Sequence, residues 1–174
     1  ASLWSQWYFG TLIVPTTALS LSLDRTLPLR PNQVWLRLDD TSGQVVGVHL
    51  RDVGCPVFGE RGFEYFRELV WTHLEPIIEL LSSVAGVSRR LLWSNAGGYL
   101  EWTISQLQVT LDSPPAGATI IRSATWPDGR MGAVHGVRGA HGKFGATIHR
   151  EKGMQFVDAS AGKRSPYAAM LEAI

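Results

Sequence analysis

Apolar positions recur at three- and four-residue steps from Ser2 to Leu23 and again from Phe63 to Leu81, and these two stretches predict the principal helices. In the first, Leu3, Trp4, Trp7, Tyr8, Leu12 and Ile13 carry the spacing, with Ser2 as the cap and Pro15 as a kink or break. This helix reads as buried on most sides. In the second, Phe63, Phe66, Val70, Leu74, Ile77, Ile78 and Leu81 make the stripe, while Glu64, Arg67, Glu68, Glu75 and Glu79 largely take the other face. Pro76 should bend it and Gly86 should end it. His73 reads as a half-exposed helical residue rather than a base.

Between the two helices the period changes. Leu27 to Asn32, with Pro28 and Pro31, predicts an extended linker. Val34, Leu36 and Leu38 then alternate with Trp35, Arg37 and Asp39, and Asp40-Thr41-Ser42-Gly43 turns the chain into Val45 to Leu50, a β-hairpin signature. The loop from Arg51 to Gly62 follows.

A third helix is predicted from the segment Leu91 to Trp102, where Ser94-Asn95 supplies side-chain oxygens able to cap a helix running on through Leu107 and stopping before Ser113-Pro114-Pro115. Gly97 and Gly98 would then fall in its first turn, each costing up to about 1 kcal/mol relative to Ala unless close backbone approach or a ligand uses them. Beyond Gly117 short strands are expected at Ala118 to Ala124, Met131 to Val137, Ala146 to Arg150 and Met154 to Val157, with a last short helix from Ser165-Pro166. The reading is an α+β fold: helices with an early β-hairpin, then a β-rich C-terminal part. Residues 1–117 form the helical and hairpin domain, and 118–174 a basic, glycine-rich segment packed on the same domain.

Composition sharpens this picture in two places. The 174 residues are 45% hydrophobic, enough for a sizeable core, and their net charge of +1 conceals a polarity. Residues 1–117 hold 8 basic and 11 acidic residues, whereas 118–164 hold 8 and 3. One cysteine, Cys55, excludes an intrachain disulfide and any site built of several thiolates from this chain; it fits a reducing compartment without requiring one. The apolar run from Trp7 to Leu19 is broken by Gly10 and Pro15 and falls short of the roughly 20 residues of a membrane span. The chain opens on Ala1 inside an amphipathic pattern, which reads as a fragment or a processed product.

Candidate chemistry is sparse. Arg130, Arg138 and Lys143, among the recurring glycines from Gly129 to Gly145, could hold an anion on backbone N–H groups; the competing reading is a solvated loop. Lys143 is followed by Phe144 rather than Ser or Thr, so this is no Walker loop. Nucleic acid is not indicated, because the excess charge is modest and no binding module accompanies it. His135, His141 and His149 match no common metal spacing. No nucleophile elbow is present, and no catalytic residue can be named. Trp93, Tyr99 and Trp102 read equally as core.

Two segments nevertheless resemble a known family. Leu3-Trp4-Ser5-Gln6-Trp7-Tyr8-Phe9-Gly10, followed by Val14-Pro15, and Leu92-Trp93-Ser94-Asn95-Ala96-Gly97-Gly98-Tyr99-Leu100-Glu101-Trp102 are similar, in order and spacing, to the paired motifs of the FhuF-like ferric-siderophore reductase family. The resemblance covers about residues 2–110. It implies a cytoplasmic protein that meets ferric hydroxamate siderophores and passes an electron to the iron from a [2Fe-2S] cluster held by four C-terminal cysteines. This chain departs from that pattern, since Lys163 to Ile174 contain no thiol and its cofactor is expected to be absent. The resemblance also implies a ligand-facing set of Trp4, Trp7, Tyr8, Trp93, Asn95 and Tyr99, with Arg89 and Arg90 for acidic groups of the ligand. The redox centre would be lost, truncated away or supplied by a partner. The alternative is a non-catalytic accessory or interaction domain that binds a protein or an anionic ligand through the basic glycine-rich segment.

Overall fold

The structure is a computed structural model that describes residues 2–57 and 63–110. The strands expected between Ala118 and Val157, the helix from Ser165, and Arg130, Arg138 and Lys143 lie outside the described residues. Helix α1 spans Ser2–Leu23, followed by β1 (Arg25–Thr26), β2 (Val34–Leu38), β3 (Val45–Leu50) and β4 (Cys55–Pro56). Helix α2 (Phe63–Arg67) runs through a π-helical segment, Glu68–Leu74, into α3 (Glu75–Ala85), and α4 spans Arg89–Thr110. Helices with a few antiparallel strands make the fold α+β.

Helix α1 is the centre of the described fold. It is apolar around nearly its whole circumference, and Tyr8, Phe9, Leu12, Ile13, Val14, Ala18 and Leu21 are all buried. One side lies along α4 and another carries the β2–β3 hairpin through β3. Such a helix also buries hydroxyls, and most find an acceptor, although Thr17 Oγ1 has none among the described residues. Thr16 donates back to the Leu12 carbonyl at 2.6 Å, and Thr11 donates across to the Val45 carbonyl at 3.1 Å, tying α1 to the first residue of β3. The helix runs unbroken through Pro15, so of the kink or break expected there the break does not occur. Its burial among α4 and the hairpin outweighs the lost backbone hydrogen bond.

The hairpin forms where the alternation places it, pairing Val34 with Leu50 and Leu36 with Val48, with a bulge at Arg37/Leu38. Its turn is held by the Asp39 carboxylate, which accepts from the backbone N–H groups of Thr41 at 3.2 Å and Ser42 at 2.8 Å. The backbone N–H of Ser42, with its hydroxyl, keeps the Asp39 carboxyl below the usual carboxylate range. A second, two-residue pairing joins β1 to β4. Around it the Arg25 guanidinium donates to the carbonyls of Val53 and Gly54 at 2.9 and 2.6 Å. The expected extended linker after β1 ends in a 3-10 turn, Pro31–Gln33, and it is also core: Leu27 and Leu29 are buried.

The second long apolar stripe is one continuous helical course with a slipped frame. The backbone N–H of Glu75 bonds to the Val70 carbonyl, five residues back, so the π segment absorbs one extra residue. Pro76 thereby falls in the first turn of α3, where a residue without an N–H costs little. Phe66, Val70, Leu74 and Ile78 are fully buried. Gly86 ends α3 in the left-handed region at φ 63°, and its N–H bonds to the Ser82 carbonyl.

Helix α4 begins at Arg89, six residues before the Asn95 predicted as its cap. Asn95 is therefore an interior helical residue, buried to 7% exposure, and Ser94 beside it is half-buried. Gly97 and Gly98 likewise fall inside the helix rather than in its first turn. The reason is the apolar pair Leu91-Leu92: Leu92 is buried in the core, which draws the first turn into the fold ahead of the polar Ser-Asn pair.

Candidate functional site

The two aromatic motifs lie on α1 and α4, the helices that pack on each other most extensively in the described fold. On α1, residues Trp4 and Tyr8 are one helical turn apart, and their rings stack with centroids 5.3 Å apart and planes 9° from parallel. Trp4 is half-buried, and its indole N–H donates to the Gly43 carbonyl at 3.3 Å, holding the hairpin turn against the start of α1. On α4, Trp93 is half-buried and meets Trp71 of the π segment edge to face, with ring centroids 6.3 Å apart.

Tyr8 is buried, and its hydroxyl end lies toward His73, with ring centroids 6.0 Å apart. His73 is only 2% exposed, so the half-exposed position expected for it is wrong. Its Nδ1 lies at the Leu29 carbonyl, which can only accept, so Nδ1 carries the proton. Burial holds the imidazole pKa below its ordinary value, against the opposing pull of the Leu29 carbonyl, and the ring is neutral at pH 7. Its Nε2 is then an acceptor, and the Tyr8 hydroxyl donates to it. Burial raises the pKa of the Tyr8 phenol, so this donor keeps its proton throughout the ordinary pH range. The sequence carried one signal of this: His73 falls three residues after Val70 and seven after Phe66, on the apolar stripe itself.

Two further members of the predicted set stand out by what they lack. The Trp7 indole Nε1 and the Asn95 amide Nδ2 are buried donors with no hydrogen-bond acceptor among the described residues. An unpaired buried donor costs about 1–3 kcal/mol, so native folds rarely keep one without use. Tyr99 is a core residue at 5% exposure. Arg89 is ion-paired with Glu79 of α3, both half-exposed, and Arg90 is exposed. The structure thus brings Trp4 with Tyr8, and Trp93 with Trp71.

Together these features define an α+β unit in which two tryptophan-bearing helices pack on each other and a hairpin is fastened to one of them. Residues 2–132 match the family described as ferric iron reductase FhuF-like transporter, and the chain belongs to that family. The match runs beyond the 2–110 covered by the two motifs. The chain is also similar to the ferric siderophore reductase of Escherichia coli (strain K12), with 25% identity over 114 residues, 63% of this chain and 42% of that protein. It therefore spans less than half the length of that curated relative.

The iron–sulfur cluster that the resemblance implies does not fit the residues present. Cys55, the one thiol in the sequence, is exposed on β4, and among the described residues no three His, Cys, Asp or Glu side chains are grouped to hold a metal. Cluster ligation takes four thiolates, or two with two imidazoles. Among the described residues no helix is long and apolar enough to cross a membrane.

Proposed function

We propose that this chain binds a ferric siderophore and presents it for release of its iron, as the substrate-handling part of a siderophore–iron reductase. The observation that carries this reading is the pair of buried donors without acceptors, Trp7 Nε1 and Asn95 Nδ2. They lie in the two motifs whose helices pack together. An iron chelate of hydroxamate type presents carbonyl and N–O oxygens, all acceptors, on an otherwise apolar shell. Oxygens that accept from these two groups recover a desolvation cost already present in the free chain, while the half-exposed rings of Trp4 and Trp93 supply apolar contact. Tyr8, stacked on Trp4, and Tyr99 are both buried, and the exposed Arg90 is a basic residue available to an acidic ligand group. The reading assigns no electron-transfer step to these residues, none of which is a thiol.

Tryptophan fluorescence titrated with a ferric hydroxamate siderophore tests this, with the gallium complex and the iron-free siderophore as controls. The expected result is saturable change with both metal complexes at micromolar concentration, weaker for the iron-free ligand. No saturation with either complex overturns the proposal.

A further inference from the structure

Five groups from four parts of the chain form one connected line. The Leu29 carbonyl accepts from His73 Nδ1, His73 Nε2 accepts from the Tyr8 hydroxyl, the Tyr8 ring lies flat against Trp4, and the Trp4 indole N–H is fastened to Gly43 in the hairpin turn. Each link restricts the next. With Nδ1 spoken for by a carbonyl, the imidazole has one tautomer and one acceptor, which fixes where the Tyr8 oxygen sits. A phenol held at its oxygen has the far end of its ring axis fixed in place, which sets where its ring can meet Trp4, and the stacking itself sets the face. Trp4 is the half-exposed end of the line, and every other side chain in it is buried.

We infer that His73 is a positioning residue which, through Tyr8, orients Trp4 as an aromatic platform for the ligand. This rests on the ferric-siderophore reading above and adds to it a residue that touches no ligand. The alternative role for His73, a satisfied polar group that merely fills the core, would leave Trp4 indifferent to its chemistry.

The test uses the full 174-residue chain labelled with 5-fluorotryptophan, with the Trp4 fluorine resonance assigned from Trp4→Phe. Tyr8→Phe keeps the stacking ring and removes only the hydroxyl. His73→Leu removes both polar links, and His73→Gln restores an acceptor near the Nε2 position. A positioning role predicts that Tyr8→Phe and His73→Leu shift or broaden the Trp4 resonance, leave that of Trp93 in place, and weaken ferric siderophore binding by about 5-fold or more. His73→Gln should return both readouts toward the parent values. A Trp4 resonance unmoved in Tyr8→Phe overturns the inference, and that variant decides the matter even where His73→Leu does not fold. Absence of siderophore binding by the parent chain refutes instead the functional reading on which the ligand role rests, while the Trp4 resonance still reports whether His73 controls that ring.

Discussion

Replacing Asn95 by Leu separates a ligand-binding role from a structural one, because the two predict opposite signs for stability. Asn95 lies inside α4 at 7% exposure with its Nδ2 donor unpaired, and Leu has a similar branched shape with no polar atom. Removing an unpaired buried donor returns about 1–3 kcal/mol, and exchanging Asn for Leu in a helix interior adds about 0.5 kcal/mol of propensity. A net stabilisation of about 2 kcal/mol raises the melting temperature by about 4–8 °C for a chain of this size. Ligand binding should change in the other direction: losing one hydrogen bond of about 1 kcal/mol weakens the ferric siderophore about 5-fold. Thermal melts followed by circular dichroism, together with the fluorescence titration, measure both. A variant less stable than the parent would refute the reasoning, since it would mean that the amide makes a stabilising bond in the free chain. Unchanged affinity in a more stable variant would refute the assignment of Asn95 to the ligand.

Gly54 sits at φ 71°, and a Cβ there would lie 1.9 Å from the Thr26 carbonyl oxygen, so Gly54→Ala should cost about 3 kcal/mol or more as β1 and β4 are forced apart; urea unfolding measures it. His73 has a folded pKa below its ordinary 6.5, so the unfolded chain takes up the proton first; the stability this residue contributes is complete above pH 6.5 and is lost as pH falls through the folded value. The fall in unfolding free energy from pH 7.5 to pH 5 should therefore be smaller in His73→Gln than in the parent. The Arg89–Glu79 pair is half-exposed on both sides, and a double-mutant cycle should give no more than about 1 kcal/mol, shrinking in high salt.

Much of the fold is legible in local pattern. The stripe from Phe66 to Ile78, the hairpin turned by Asp39 and Gly43, and the stop at Gly86 each follow from a period or from a residue's own backbone preference. The errors share one origin. Pro15 reads locally as a break, Ser94-Asn95 as a cap and His73 as half-exposed, and all three are overruled by what lies opposite them in space. Pro15 is carried through by the packing around α1, Asn95 by Leu92 docking one turn earlier, and His73 by an acceptor and a donor 44 and 65 residues away in the chain.

The candidate site divides the same way. Sequence alone determined that Trp4, Trp7, Tyr8, Trp93, Asn95 and Tyr99 stand in two aromatic motifs, and that one cysteine cannot hold a cluster. Tertiary structure decided which of them are half-exposed, which are core, and which donors are left without acceptors. Periodicity reports the side of a helix that is apolar, whereas the satisfaction of a buried polar atom depends on non-local neighbours that no local window contains.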